Sequence, residues 1–523
     1  DVVLRSIGPD GLYYIPVDKR PWALLNPAWA SKVWKADGTT GAITDPGFKQ
    51  FTHPMPIGRV ISYLTIYYAM SKDPALKNVI QGMVDGSMKL MIDKGDYGYV
   101  PLGVFEPDAK VDPNAEAPVA LPGIESHGRL IQGPIHFYRM TGYRPALELA
   151  GKLSRAVRYH GRNFEPDGSF IGNEGMEAGR GGPHFHAHLF ALLSMLDYAI
   201  EAGDTELMEF VKKGYEKAKT YGNPIVGFFP EWITPTYPFS ETCEVADMIA
   251  LAIRLSRAGV GDYWDDADRY IRNQYSENQL TKIDWLYPII EKIPESPVKL
   301  EEIKWGGPYQ TVPEGVYTAD NVLMRNLGGF AGWPSANDWF NDGEEASRGI
   351  MHCCTGNGVR TLYYIWEDML SYDRGDLRIN LLMNRASPYA DVYSHIPYEG
   401  QVRVKAKHPC TRVLMRMPEW VKEGSKVTSE VDQKPRKVEW EGRYVNLGPL
   451  RTGELLKVFF PIGESTKKTT IASKEYTLVL RGNTVISIDP PGKYCPLYQR
   501  EYYRQNMEWR PTRRFIAEKT VVW

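Results

Sequence analysis

The strongest constraint on the fold is a pattern that returns four times in the first half of the chain. Each time, apolar residues at helical spacing run into a short polar or glycine-containing turn. A fresh helix start rich in Ala, Leu and Glu then follows. The copies are YYAMSKDPALKNVI from Tyr67, FYRMTGYRPALELA from Phe137, DYAIEAGDTELMEF from Asp197 and IRLSRAGVGDYWDDAD from Ile253, 56 to 70 residues apart. Each reads as an αα-hairpin, with Gly142 and Gly203 where one helix has to stop. Hairpins at such intervals mark a helical array with variable insertions. An α/α toroid gathers the loops of one end around a central cleft and an open solenoid does not; the patterning permits both.

After about residue 378 the texture changes. RVLMRMPEW (412–420), YVNLGPL (444–450), LLKVFFPI (455–462) and YTLVLRGNTVISI (476–488) are short β-rich runs divided by Gly, Pro and Lys turns. The chain therefore reads as mainly α plus β. Residues 1–378 form a helical, catalytic domain with an N-terminal extension, and residues 379–523 a C-terminal β-sandwich.

Composition narrows the function. With 62 basic and 64 acidic residues in 523 the chain lacks the excess of Lys and Arg that phosphate backbones demand, so nucleic acid is not the expected partner. No apolar run approaches the roughly 18 residues of a membrane helix. The 14 Trp and 32 Tyr suit a sugar-binding surface, though large cores also consume them. The chain starts at Asp1 rather than Met, as it would after an excised secretion signal or at a chosen boundary.

Five cysteines are too few for a disulfide framework. Three of them open helices. In SETCEVADMIALAIRL, Ser240 reads as an N-cap ahead of Glu241, Thr242 and Cys243, and in MHCCTGNGVRTLYYIWEDML the pair Cys353–Cys354 leads an aromatic helix. The partial positive charge of a helix N-terminus pushes a thiol toward thiolate, which is both the nucleophilic and the metal-binding form. Three Cys and one carboxylate make a four-coordinate Zn²⁺ site; adjacent cysteines can equally be two small buried hydrophobes. Cys410 and Cys495 read as core residues.

Glu-Thr-Cys at one helix start and Cys-Cys at another about a hundred residues on resemble glycoside hydrolase family 127, the β-L-arabinofuranosidase family, and its relatives. ESHGRLIQGPIHFYRMTG (125–142), HFHAHLFALLSMLDYAIEAGD (184–204) and RVLMRMPEW followed by GELLKVFFP extend the similarity over most of residues 56–488. The resemblance implies an (α/α)6 barrel whose Zn²⁺ is held by Glu241, Cys243, Cys353 and Cys354. It makes Cys353 the nucleophile of a retaining hydrolysis, with a Glu as acid/base. The family follows Cys-Cys with Pro-Pro-Asn, where this chain has Thr355-Gly356-Asn357. The family's acid/base lies well upstream of Glu-Thr-Cys, whereas the nearest candidate here is Glu231 in GFFPEW, ten residues before Glu241, which also reads as a surface Glu.

Further polar residues collect near these motifs: His127 and Arg129, His184, His186 and His188, Tyr237, and Arg348, His352 and Arg360. Alternating His at 184, 186 and 188 suits an extended segment presenting all three on one side, or a helix start spreading them around. One reading is a hydrogen-bonded support for the metal site. The other is an anionic subsite, in which Arg129, His184, His188 and Arg360 bind a uronate or sulfate and His127, His186 or Tyr237 moves a proton. FAGW (330–333) and NDWFNDGEE (337–345), with Trp339, supply aromatic and acidic loop residues for a sugar cleft.

The leading expectation is a zinc-thiolate enzyme acting at the non-reducing end of polysaccharide-derived oligosaccharides as a retaining glycoside hydrolase. The alternative on the same scaffold is a lyase or dehydratase that eliminates water from a terminal uronic acid, for example of an acidic algal oligosaccharide. A third is a non-catalytic sugar-binding protein with structural zinc. A periplasmic or secreted location is expected from the resemblance, and a homodimer is compatible with the sequence, which does not fix the oligomeric state.

Overall fold

The computed structural model describes residues 2–16, 32–117, 123–172, 182–291, 320–340 and 349–508. A single-turn helix, α1 (Val2–Arg5), precedes four helical hairpins. They are α2 (Pro54–Ser71) with α3 (Pro74–Leu90), α4 (Gly123–Thr141) with α5 (Arg144–Arg155), α6 (Phe185–Ala202) with α7 (Thr205–Tyr221), and α8 (Thr242–Arg257) with α9 (Trp264–Tyr270). Two single turns, α10 (Tyr287–Ile290) and α11 (Val322–Arg325), lead to the long helix α12 (His352–Asp368). All four repeats of the sequence pattern fold as hairpins. Gly203 stops α6 at φ 69° in the left-handed region, and Asp204 then opens α7 by accepting a hydrogen bond from the Leu207 N–H at 3.0 Å.

The even-numbered long helices form one layer: α2 packs on α4, α4 on α6, α6 on α8 and α8 on α12. Their hairpin partners α3, α5, α7 and α9 pack outside them. The difference follows from sequence. α8 is buried continuously from Thr242 to Leu255, whereas α7 buries one stripe (Leu207, Phe210, Val211, Gly214, Tyr215 and Ala218) and exposes the rest. Each hairpin reverses the chain, so the inner helices run parallel and bring their N-termini to one end. Glycine sets the tightest crossing: a Cβ on Gly58 of α2 would lie 2.2 Å from the Arg129 carbonyl oxygen of α4, and one on Gly133 would lie 2.4 Å from the Gly58 oxygen.

The β region follows α12 directly. A five-stranded sheet has the order Glu439–Glu441, Tyr444–Asn446, Arg412–Arg416, Asp376–Ile379, Leu370–Asp373, and Arg412–Arg416 pairs in parallel with Asp376–Ile379. A six-stranded antiparallel sheet runs from Arg385–Ala386 to Lys434–Arg436, and a three-stranded antiparallel sheet is built from Glu464–Ile471, Lys474–Arg481 and Thr484–Asp489. The strands of this region thus begin at Leu370, and residue 378, where the texture of the sequence changes, lies inside one of them, while seven two-residue strands between Ile15 and Phe105 flank the first helices.

Sheet residues Leu377, Val404 and Val458 belong to the same apolar core as the helices, so no solvent layer separates the two regions. A second core joins the three-stranded sheet (Leu478, Val485) to Val226, Phe228, Leu280 and Trp339. Among the described residues no helix is long and apolar enough to cross a membrane.

Candidate metal-thiolate site

Glu241 occupies the N-cap position of α8 and Cys243 its first turn, while Cys353 and Cys354 occupy the first turn of α12. Ser240, read from sequence as the cap, instead sits wholly buried one residue before it. Because α8 and α12 are packed inner helices running the same way, their first turns meet. Cys354 Sγ lies 3.7 Å from Cys243 Sγ, 3.8 Å from Cys353 Sγ and 3.2 Å from Glu241 Oε1, and Cys353 Sγ lies 3.6 Å from the same oxygen.

All three thiols are free, and their separations far exceed a disulfide of about 2.05 Å. They match a different bond. Tetrahedral ligands at about 2.3 Å from a metal stand about 3.8 Å apart. The cluster Glu241, Cys243, Cys353 and Cys354 can hold a metal ion.

The electrostatics of the cluster suit a cation. Burial drives the Cys243 and Cys354 thiols well above their usual range. Burial, then the charges of Cys353 and Glu231, raise the Glu241 carboxyl to about 8. Cys353 goes the other way, pulled far down by hydrogen bonds from Cys243 and Cys354. Cys353 is also the partly exposed member of the three, Cys243 and Cys354 being wholly buried. Asn357, one turn into α12, donates from Nδ2 to Cys243 Sγ at 3.0 Å. Thr242, between the two α8 ligands, donates to the Ala331 carbonyl at 2.7 Å and accepts from Asn278 Nδ2 at 3.0 Å.

Glu231 reaches this centre through backbone pairing. Residues 230 and 240 form an antiparallel bridge, and the Phe185 N–H donates to the Glu231 carbonyl at 2.9 Å, so Glu231 is held between the starts of α6 and α8. Tyr237 Oη donates to Glu231 Oε2 at 2.5 Å. His184 Nε2 lies 4.0 Å from Glu231 Oε1 and 3.9 Å from Glu241 Oε2.

His184 Nδ1 accepts from the Ala187 N–H at 3.3 Å, which leaves the proton of the neutral ring on Nε2, facing both carboxyls. His184, Glu241 and Glu244 also lie close enough to share an ion, but an Nε2 that carries a proton cannot ligate. Glu244 is fully buried, and burial, then the charge of Glu241, pushes its carboxyl well above the usual range.

Deeper between α4, α6, α8 and α12 lies a charged set. His186 Nδ1 stands 2.6 Å from Asp247 Oδ2, and its Nε2 3.3 Å from Arg129 Nη2. Arg360 Nη2 donates to Asp247 Oδ1 at 2.8 Å, and Arg129 lies 3.6 Å from Glu125. Burial works to lower His186, but Asp247 and Glu125 outweigh it and raise the imidazole above its usual range. Both guanidiniums lie over the Phe190 ring, at 3.5 and 5.3 Å, and among the described residues neither buried Nε–H has an acceptor.

The structure therefore brings together Glu231, Tyr237, Glu241, Cys243, Cys353, Cys354 and His184, with Arg129, His186 and Arg360 behind them. Three of the residues expected there lie elsewhere. His127 accepts the Val100 N–H at 3.2 Å and lines a small internal cavity with Tyr99, Ala156 and Asn163. It stands two residues from Arg129, and 200° of helical turn sends the two to opposite faces. His188 contacts the His184 and Ile171 carbonyls at 2.8 and 3.1 Å and stacks on Phe170, because this segment opens a helix and spreads its histidines around. Trp339 is a core residue, donating to the Asn278 carbonyl at 3.2 Å. Arg348 and residues 341–345 lie outside the described residues. Glu125, Glu244, Asp247 and Asn357 were missed in the sequence; three of them carry a helical signal, since Asp247, Asn357 and Glu125 stand four residues from Cys243, Cys353 and Arg129.

No protein-family model matches the chain, and no curated protein does. Among solved structures, a glycoside hydrolase aligns over 92% of this chain and 71% of its own at 14% identity, with a TM-score of 0.56. The neighbours include a GH127 β-L-arabinofuranosidase from Geobacillus stearothermophilus T6 (83% and 77% covered, 14% identity, TM-score 0.45). They also include a cellobiose 2-epimerase from Bacillus thermoamylovorans B4167 (53% and 69% covered, 12% identity, TM-score 0.40). The fold is glycoside-hydrolase-like.

Proposed function

We propose that the protein is a zinc-thiolate glycoside hydrolase of the retaining type, acting at the non-reducing end of oligosaccharides. The observation that carries this reading is the spacing of Glu241, Cys243, Cys353 and Cys354, which suits tetrahedral zinc while leaving one sulfur, Cys353, open to solvent. Zinc, when bound, supplies the positive charge that keeps these thiols deprotonated at neutral pH.

The Cys353 thiolate then attacks the anomeric carbon as the glycosidic C–O bond breaks, and Glu231 gives its proton to the departing oxygen. In the second half, the Glu231 carboxylate takes a proton from water, whose oxygen attacks the same carbon. The C–S bond breaks and the thiolate is restored. Two inversions give retention. Tyr237 holds Glu231 by donating to Oε2. The scaffold we associate with this chemistry is an (α/α)6 barrel followed by a β-sandwich, in a periplasmic or secreted homodimer.

A second reading keeps the scaffold and changes the reaction to elimination of water from a terminal uronic acid. The buried Nε–H groups of Arg129 and Arg360, which lack acceptors among the described residues, favour it, since a carboxylate would complete them. Mass spectrometry of neutral and uronate-ended oligosaccharides incubated with the zinc-loaded protein separates the two. Fragments whose summed mass gains one water support hydrolysis; an intact chain lighter by one water overturns it in favour of elimination. Binding without any product would leave a sugar-binding protein.

A further inference from the structure

We propose that Asn357 is a positioning residue that fixes which of the three sulfurs is left to react. Its Nδ2 stands 3.0 Å from Cys243 Sγ, and the side chain is 7% exposed. α12 presents Asn357 one turn beyond Cys353, so the amide crosses to the sulfur of the neighbouring helix rather than to its own.

A thiolate bound to a metal has no proton to give. The amide must therefore turn its N–H to the sulfur, as it does here. An N–H donor withdraws charge from a sulfur lone pair and lowers its reactivity toward carbon. Cys243 carries this bond and is wholly buried. Cys353 Sγ faces Glu241 Oε1 and Cys354 Sγ, with no N–H donor to it among the described residues. One sulfur is thus committed to holding the metal and another is kept nucleophilic, although both open a helix. This inference rests on the metal-thiolate reading.

The test uses the full-length chain loaded with Co²⁺ and needs no substrate. Wild-type protein should show a sulfur-to-cobalt charge-transfer band with tetrahedral ligand-field bands; their absence would sink the metal-thiolate reading itself. Asn357→Leu keeps the side-chain volume and removes the donor, and its charge-transfer band should move to longer wavelength while the ligand-field bands hold position. Asn357→Ser restores a donor on a shorter arm, and its band should fall between the two. Zinc affinity should drop roughly 10-fold in Asn357→Leu. A band that stays at the wild-type wavelength in both variants, or that shifts equally in both, would overturn the role of Asn357 and leave the metal site standing. If Asn357→Leu does not fold, the serine variant alone decides by the presence or absence of a shift.

Discussion

At the residue scale, the site divides its labour between groups of similar chemistry by small differences of surroundings. Three cysteines lie within bonding reach of one metal, yet only Cys353 reaches solvent. Replacing it with serine should abolish turnover of any cleaved oligosaccharide, checked in a protein whose zinc content is measured alongside; turnover in a metallated variant would remove Cys353 as nucleophile. Glu231→Gln should separate the two halves of the reaction. Loss of the acid slows poor alkyl leaving groups by about 100-fold or more but spares a nitrophenyl leaving group in the first step. An equal loss on both would place the acid elsewhere. The cysteines and Glu241 were legible in the sequence because rare residue types opened helices. His127 was misread because i and i+2 on a helix face apart, and Trp339 because aromatic residues serve cores and clefts alike. Asn357 and Asp247 are common residues whose partners lie on other helices, so their place becomes visible only when the helices are packed.

At the scale of elements, the parallel inner helices have two unlike ends. Their N-termini gather cysteine thiols and carboxyl groups, where the helix dipoles favour negative charge. Further down, Asp197 of α6 ties three helices. Its carboxylate lies 3.0 Å from Arg139, 3.8 Å from Arg254 and 3.9 Å from His136. Burial works to raise Asp197, but Arg139 and Arg254 outweigh it and hold the carboxyl far below its usual range.

A depressed folded-state value means this stabilisation is complete above the unfolded Asp value near 4 and fades only as pH falls below it. Asp197→Asn should therefore cost about 3–5 kcal/mol in urea unfolding at pH 7, with a gap to wild type that narrows as the medium is acidified below pH 4. A gap independent of pH would contradict the charge argument. Gly58→Ala should cost about 1–3 kcal/mol, because its Cβ meets the Arg129 carbonyl oxygen, a backbone atom that only a shift of α4 can relieve. The hairpins were legible because apolar periodicity and turn residues agree in all four. The layer each helix occupies was not legible: Glu244, Asp247 and Arg254 make α8 read as amphipathic, yet it is buried continuously from Thr242 to Leu255.

At the scale of the molecule, the helical and β regions are joined by buried charge as well as by apolar core. Arg416, in the strand Arg412–Arg416, is 4% exposed and reaches Asp265 at 2.7 and 2.8 Å and Asp262 at 3.0 Å. Among the described residues, Arg416→Met leaves Asp262 unpaired and Asp265 with Arg443 alone, and should destabilise the whole chain by about 1–3 kcal/mol in one cooperative transition, read by calorimetry. Separate melting of the two regions would show them to be independent. Where the regions meet was not legible, because short strands such as Leu370–Asp373 carry too few residues to show alternation against the helix before them.

The polar chain beneath the metal ligands runs further than the site. Tyr498 Oη donates to Gln274 Oε1 at 3.1 Å, Gln274 Nε2 to Asn278 Oδ1 at 2.9 Å, and Asn278 to the Thr242 hydroxyl that seats Glu241 and Cys243. The ribosome makes Thr242 long before Tyr498. A nascent chain with both cysteine motifs already outside the exit tunnel still lacks the Tyr498 end of this scaffold, so the four clustered side chains are made before everything that holds them in place.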